Sequence, residues 1–233
     1  MYDIHCHIIP GVDDGAKDYY EAKKMVQRAY DEGIRGLIAT PHYHSGISDA
    51  ELESWQDGFK TLKKAAKSVS TGFELHQGAE VYIDSEVLEK LKSGEPITMA
   101  KSGYVLLECS YGAPYRYLER LLLDVVNSGF KPILAHMERY SALTDIESVE
   151  NIRRLGVLLQ VNAKSVVKGS FQRKRWILKL VQKGYIDAIG SDAHNVTTRP
   201  AHWAACMEYL QKKVGNETVE RLTTDVYERI IMS

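Results

Sequence analysis

The chain lacks any long apolar segment. No run approaches the roughly 18–20 residues that a membrane-spanning helix needs, so we expect a protein that is not embedded in a membrane. The N-terminal sequence MYDIHCHIIP has no basic region followed by an apolar one, which argues against a signal peptide. Cysteine is scarce and odd in number, at Cys6, Cys109 and Cys206, which argues against a disulfide framework. We therefore expect a cytoplasmic protein.

The sequence also lacks an excess of charge of either sign. It contains 30 Lys and Arg and 31 Asp and Glu, for a net charge of −1. General nucleic-acid binders usually carry a basic excess, so this balance argues against nucleic-acid partners. The 6 Pro and 17 Gly are too few for a low-complexity chain, and no linker interrupts the pattern. We expect residues 1–233 to form a single domain.

Short apolar runs rich in Val, Ile and Leu alternate with amphipathic segments, as in parallel βαβ units. Capping boxes that begin helices are predicted at Asp18 with Glu21, Ser48 with Glu51 and Thr144 with Glu147. No glycine-rich nucleotide-binding motif follows the first run, which argues against an open nucleotide-binding sheet. The seven strand–helix repeats favour an α/β barrel. The predicted strands are Tyr2–His7, Ile34–Thr40, Phe73–Val81, Tyr104–Cys109, Pro132–His136, Val157–Val161 and Ile186–Gly190.

Histidines and carboxylates stand at the carboxyl ends of six of these strands. In a barrel those ends converge on one face, and imidazole with carboxylate there indicates divalent metals. His5 and His7 are two apart on a strand, so both point to one side while Cys6 points away. Asp192 and His194 repeat this spacing on the last strand.

The motifs at the strand ends and in the loop after the first strand are DIHCHIIPGVDDG, Thr40-Pro41-His42, Glu80, Glu108, His136-Met137-Glu138-Arg139, and SDAHN followed by Arg199. Together these motifs resemble the polymerase-and-histidinol-phosphatase (PHP) family. Within that family, the runs DIHCHIIPGVDDG and SDAHN followed by Arg199 are similar to bacterial tyrosine-protein phosphatases of the CpsB/YwqE type. The resemblance covers almost the whole chain, and it implies the PHP fold, a distorted (β/α)7 TIM-like barrel.

The resemblance further implies three divalent metal ions, with Mn foremost and Fe or Zn as alternatives. Arg139 and Arg199 would bind the substrate phosphate. The implied ligands are His5, His7, Glu80 and Asp192 for the first ion, Glu80, Glu108 and His136 for the second, with both glutamates bridging, and Asp14, His42 and His194 for the third.

Charge arithmetic agrees with three ions. The four carboxylates of this set carry −4, and three divalent ions would leave +2, which matches a phosphate monoester dianion. Water acidified by the metal would attack phosphorus, and a phenol with pKa about 10 would leave. The expected function is a metal-dependent protein-tyrosine phosphatase. By resemblance, its substrate would be a tyrosine kinase that controls capsule or exopolysaccharide synthesis.

One alternative function is rejected and two remain open. A cysteine phosphatase requires Cys-x5-Arg, which none of the three cysteines begins. The main alternative is a small-molecule phosphatase such as histidinol phosphatase, and a second is a PHP module that only binds or regulates.

Two further groups of residues each allow two interpretations. Four tyrosines are expected near the site, where they either pack against the substrate or line the rim: Tyr111, Tyr115, Tyr117 and Tyr140. The basic residues Lys168, Arg173, Lys174, Arg175 and Lys179 form either a solvated helix face or a docking patch for an acidic partner.

Overall fold

The computed structural model describes residues 1–93 and 97–233. Its strands are β1 (Tyr2–Cys6), β2 (Gly36–Ala39), β3 (His42–Tyr43), β4 (Glu74–Gln77), β5 (Glu80–Tyr82), β6 (Tyr104–Glu108), β7 (Lys131–Leu134), β8 (Leu158–Asn162) and β9 (Ala188–Gly190). Its helices are α1 (Tyr19–Asp31), α2 (Asp49–Val69), α3 (Ser85–Lys92), α4 (Tyr115–Asn127), α5 (Ile146–Arg154), α6 (Ala163–Lys168), α7 (Phe171–Gln182) and α8 (Trp203–Ile231), with short 3-10 turns at Met99–Lys101 and Met137–Arg139. No helix in these described ranges is both long and apolar enough to cross a membrane.

The strands are all parallel and form a distorted (β/α)7 barrel. One sheet has the order β1-β2-β4 and the other the order β3-β5-β6-β7-β8-β9. The pairs β2/β3 and β4/β5 each occupy one of seven positions in the ring, and backbone hydrogen bonds close it between β1 and the segment after β9. In these bonds the N–H of His7 donates to Ala193 O at 2.9 Å, and the N–H of Asp192 donates to His5 O at 2.8 Å. The predicted barrel is confirmed.

The third predicted strand, Phe73–Val81, is not continuous. It breaks between β4 and β5 at Gly78, where a Cβ atom would lie 2.7 Å from Met99 Sδ. The 3-10 turn at Met99–Lys101 therefore presses against the backbone at a point that only glycine accommodates. The prediction of one strand was wrong because this contact comes from a segment about twenty residues further along the chain.

Alternation along the strands separates two apolar layers. Inward-facing side chains such as Ile4, Ile38 and Ile133 fill the barrel, and α8 closes its amino-terminal end with Tyr227, whose ring stacks on Tyr2 at 4.0 Å. Outward-facing side chains pack under the helices. With one end filled in this way, the carboxyl ends of the strands are left to carry polar groups.

The helix starts follow local sequence signals. Asp18 and Ser48 cap α1 and α2 by accepting hydrogen bonds from the backbone N–H groups of Glu21 and Glu51, as predicted. The full capping box forms only at Ser48 of the two, since Glu21 accepts from the backbone N–H of Lys17 and not from that of Asp18. The capping box predicted at Thr144 was wrong by one residue, because Asp145 caps α5 by accepting a hydrogen bond from the backbone N–H of Ser148. Both residue types can cap a helix, and the carboxylate also accepts from the Ser148 hydroxyl at 2.7 Å.

Candidate metal centre

The nine predicted ligands come together at the carboxyl end of the barrel. The first group surrounds Glu80, which is almost fully buried at the start of β5. Its Oε1 lies 3.2 Å from Nε2 of His5, and its Oε2 lies 3.2 Å from Nε2 of His7. Asp192 Oδ1 lies 3.9 and 3.6 Å from the same two nitrogens. These four side chains match the ligand set implied for a first ion.

The second group shares Glu80 with the first. Nε2 of His136 lies 2.6 Å from Glu80 Oε1 and 3.5 Å from Glu108 Oε2. The resemblance placed His42 on a third ion alone, whereas here its Nδ1 also lies 3.0 Å from Glu80 Oε2 and 3.7 Å from Glu108 Oε1. Glu80 thus contacts four imidazoles, as a bridging carboxylate would.

The third group lies toward solvent. Asp14 Oδ1 is 3.1 Å from Nε2 of His194 and 3.4 Å from Nε2 of His42. One ring nitrogen of His7 falls within 4.8 Å of ligand atoms on all three. Because Asp14 and His42 are partly exposed, this is the group that water and substrate reach most directly.

Two non-glycine residues of the site adopt left-handed backbone conformations. His136 has φ +34° and Asp192 has φ +51°. Such conformations are unfavourable and persist where surrounding contacts determine them, commonly at functional sites. At Asp192 the backbone N–H donates to His5 O at 2.8 Å, and Oδ2 accepts from the amide of Asn162 at 2.7 Å. These contacts fix the carboxylate toward the histidines.

Asp13 orients His7, a role that the sequence reasoning missed. Its Oδ2 accepts from Nδ1 of His7 at 2.8 Å, while its Oδ1 accepts from the backbone N–H of Gly15 at 2.9 Å. A Cβ atom at Gly15 would lie 2.1 Å from His7 O, so this loop packs directly on β1. The adjacent pair Asp13 and Asp14 in the loop was the available signal, but only Asp14 was assigned.

Strand β8 supplies amides in place of acids or histidines. Gln160 Oε1 lies 3.1 Å from Nδ1 of His5 and accepts from the backbone N–H of His136 at 2.9 Å. Its Nε2 donates to Asn162 Oδ1 at 2.9 Å, and Asn162 in turn bonds Asp192. Both amides are buried and two residues apart, a spacing that could have revealed them in an otherwise apolar strand.

The two predicted arginines stand at the rim. Nη2 of Arg139 donates to Asp192 Oδ2 at 2.6 Å, and Nη1 and Nη2 of Arg199 donate to Asp14 Oδ2 at 2.9 Å and Asp192 Oδ1 at 3.3 Å. Their side chains remain 30% and 38% exposed. Tyr111 joins them, since its hydroxyl accepts from Nη1 of Arg139 and donates to Glu108 Oε2, both at 3.2 Å.

Of the four tyrosines expected near the site, Tyr111 is the one with a hydrogen bond to a predicted site residue in the described part of the chain. Tyr140 is buried, and its hydroxyl accepts from the backbone N–H of Cys109 at 3.0 Å. Tyr115 bonds Glu119 on its own helix, and Tyr117 is half exposed. Packing accounts for these three.

Cys6 faces away from the site, as predicted. It belongs to the outer apolar layer, and its Sγ lies 3.6 Å from Ala193 O. Burial raises the pKa of its thiol well above the usual range, so a nucleophilic thiolate is disfavoured. The geometry therefore gives no support to cysteine chemistry.

The electrostatics suit bound cations. Burial disfavours the ionised carboxyl of Asp192, yet the charges of His5, His7 and Arg139 hold its pKa at about 2. Burial likewise opposes protonation of His7, but Asp13 and Glu80 raise its pKa to about 10. The carboxylates thus stabilise positive charge on the buried imidazoles, and they would stabilise the charge of a bound divalent ion in the same way.

The nitrogen atoms themselves fit a metal. Nδ1 of His5 and Nδ1 of His7 are engaged by Gln160 and Asp13, so the two Nε2 atoms face each other at 3.3 Å. Either a proton, which the raised pKa of His7 favours, or a metal ion lies between two such nitrogens. A divalent ion would take that position beside the carboxylates of Glu80 and Asp192. In addition, Nε2 of His194 is buried and makes no hydrogen bond of acceptable geometry among the described residues, although Asp14 Oδ1 lies 3.1 Å away.

Comparison with known proteins agrees with this geometry. The sequence profile described as capsular polysaccharide synthesis, CpsB/CapC, matches residues 1–232. Tyrosine-protein phosphatase CpsB of Streptococcus pneumoniae is 31% identical, and the match covers 100% of this chain and 98% of that protein. Tyrosine-protein phosphatase YwqE of Bacillus subtilis is 33% identical over 96% of this chain and 89% of its own.

Solved structures extend the likeness to the fold. A crystal structure of the metal-dependent tyrosine phosphatases YwqE from Bacillus subtilis and CpsB from Streptococcus pneumoniae superposes with a TM-score of 0.88 at 31% identity, over 100% of this chain and 94% of that one. An organophosphorus hydrolase from Deinococcus radiodurans shares the fold alone, with a TM-score of 0.66 at 13% identity, over 99% of this chain and 92% of that one. The chain belongs to the CpsB/CapC family of capsular polysaccharide synthesis proteins.

Proposed function

We propose that this chain is a metal-dependent protein-tyrosine phosphatase, a phosphoric monoester hydrolase. The carrying observation is the pair of Nε2 atoms of His5 and His7, held toward Glu80 by bonds at their Nδ1 atoms. That arrangement suits a divalent ion and leaves no role for a thiol. The phosphotyrosine specificity is inferred from the names of relatives that match this chain over most of their length.

Three divalent ions, with Mn foremost and Fe or Zn as alternatives, suit the donor set of imidazoles and carboxylates. When bound, such ions supply positive charge for the phosphate oxygens and acidify water. The first would be held by His5, His7, Glu80 and Asp192, the second by Glu80, Glu108 and His136, and the third by Asp14, His42 and His194. Three ions are supported because Glu80 contacts histidines of both the first and the second ligand group, while Asp14 lies close to His42 and His194 of the third.

The arginines act on the substrate phosphate in this proposal. Hydrolysis adds the oxygen of water to phosphorus and breaks the bond from phosphorus to the phenolic oxygen, so negative charge builds on the other phosphate oxygens and on the leaving group. Arg139 and Arg199 lie at the rim with planar forks that can each engage two of those oxygens. Tyr111 bonds Arg139 and limits the orientations of its guanidinium.

The physiological substrate proposed here is a tyrosine-phosphorylated kinase that controls capsule or exopolysaccharide synthesis, in the cytoplasm. Support comes from the family's description as capsular polysaccharide synthesis proteins. All three cysteines are free and buried, as is common in a reducing compartment.

Substrate comparison tests the proposal. We expect the metal-loaded protein to hydrolyse a phosphotyrosine peptide with a much higher kcat/KM than the same peptide carrying phosphoserine, and higher than histidinol phosphate. His5→Ala should lose the activity by orders of magnitude, whereas His44→Ala, at an exposed histidine on the same side of the barrel, should keep it. A preference for histidinol phosphate, or equal rates on the two peptides, would overturn the assignment.

A further inference from the structure

Positive charge is concentrated in one segment of this nearly neutral chain. Residues 151–186 contain nine Lys and Arg and no Asp or Glu, so the remainder of a chain with net charge −1 carries −10. Most of these cations lie on α6 and the first turns of α7. We call Lys164, Lys168, Phe171, Arg173 and Arg175, which are all exposed, the α6–α7 surface.

Within the described part of the chain, the cations of this surface have no counter-ions. Among residues 1–93 and 97–233, none of its four basic side chains lies within 4.0 Å of a carboxylate, whereas Lys60, Lys92 and Lys212 each pair with a neighbour on their own helix. Phe171, which begins α7 between Lys168 and Arg173 in the sequence, is 76% exposed. An exposed apolar ring on the same surface as unpaired cations suits an acidic polypeptide better than water alone.

The surface begins at the mouth of the metal centre. Helix α6 starts directly after Asn162, whose side chain bonds Asp192, and its six residues span about 9 Å. Because the helix follows the carboxyl end of β8, it leaves the barrel on the face where the site lies. Helix α6 also packs against α8, which begins at Trp203 just after the loop that carries Arg199.

We propose that the α6–α7 surface binds an acidic segment of the phosphotyrosine protein while its phosphate occupies the metal centre. The inference deepens the proposed function and rests on it. A membrane surface is the other anionic partner to consider. Continuity with the mouth of the site favours the polypeptide, since a segment a few residues from the tyrosine can reach both places at about 3.3 Å of chain per residue.

The test uses four phosphotyrosine peptides: one with three Asp before the tyrosine, one with three Asp after it, and the two Asn counterparts. We expect one acidic peptide to exceed its Asn counterpart in kcat/KM by about five- to tenfold, as two or three exposed ion pairs allow. The higher kcat/KM should result from a lower KM, and the difference should disappear in about 1 M NaCl, where the screening length is about 3 Å.

Two charge reversals separate local from global effects. Lys168→Glu with Arg173→Glu should abolish the acidic preference, whereas Lys64→Glu with Lys67→Glu changes the net charge equally on exposed positions near the far end of α2 and should preserve it. Both variants should hydrolyse p-nitrophenyl phosphate like the parent protein, which shows that they are folded and loaded with metal.

The outcomes are distinguishable. If no phosphotyrosine peptide is hydrolysed, the proposed function fails. If the peptides are hydrolysed without acidic preference, or if the preference survives Lys168→Glu with Arg173→Glu, the inference about the surface is overturned. Sedimentation of the parent protein with phosphatidylserine vesicles, together with no acidic preference, would assign the surface to a membrane and likewise overturn it.

Discussion

Removing either rim arginine should slow catalysis without removing the metals. Arg139 contacts Asp192 and Arg199 contacts Asp192 and Asp14, but neither is itself a ligand. Asp192 keeps its orientation in both variants, because the Asn162 amide at 2.7 Å and its own backbone bond to His5 remain. Arg139→Ala and Arg199→Ala are therefore expected to retain their metal content.

The size of the loss follows from the role of a preorganised donor. Loss of one such donor to charge that develops in the transition state costs about 2–4 kcal/mol, or about 30- to 1000-fold in kcat/KM. Arg139 has the shorter contact, 2.6 Å, and the less exposed side chain, 30% against 38% for Arg199. We expect Arg139→Ala to fall in the upper half of that range and Arg199→Ala in the lower half, where solvent screens more of the interaction.

Steady-state kinetics with free phosphotyrosine, run alongside elemental analysis, measure both quantities. Arg116→Ala is the matched control, since this exposed arginine lies in the first turn of α4, at the same end of the barrel. Its kcat/KM should equal that of the parent protein. Unchanged kcat/KM in both rim variants would refute the placement of the phosphate between Arg139 and Arg199, and loss of metal from either would refute the separation of ligand and substrate roles.

Three further substitutions have defined expectations. Cys6→Ser should retain most of kcat/KM, because Cys6 faces the outer layer, and an inactive but folded variant would contradict metal-based chemistry. Asp13→Asn should lower metal affinity or activity by about 10- to 100-fold, since it weakens the bond that orients His7; calorimetric titration with Mn²⁺ measures this. Tyr111→Phe removes one hydrogen bond to Arg139 and should lower kcat/KM about three- to tenfold; an unchanged value would show that Arg139 needs no such support.

Local sequence signals predicted the barrel well because parallel strands buried on both faces and capped helices are encoded over short distances. The seven strand positions and the caps at Asp18 and Ser48 follow from such patterns. The break at Gly78 does not, since it depends on contact with Met99. Asp145 replaced Thr144 as a cap because two competent residues stand side by side.

Eight of the nine candidate ligands were predictable for a chemical reason, whereas Asp14 was implied only by the family resemblance. Histidine and carboxylate are the residue types that bind divalent ions, and strand ends in a barrel converge. The supporting amides Gln160 and Asn162 were missed because their residue types carry no such signal and their partners lie on other strands. Asp13 was missed because its neighbour Asp14 was assigned as the carboxylate that this loop contributes to the site. The assignment of individual ligands to ions stays a prediction.

Dependence of phosphotyrosine hydrolysis on bound metal tests the central claim most directly. The measurement is phosphate release from a phosphotyrosine peptide by the exhaustively chelated protein, before and after addition of Mn²⁺, with metal content determined in each sample. We expect release to vanish with the metal and to return as Mn²⁺ is restored. Full release by protein that elemental analysis shows to be free of metal would contradict a function built on the convergence of His5, His7, Glu80 and Asp192.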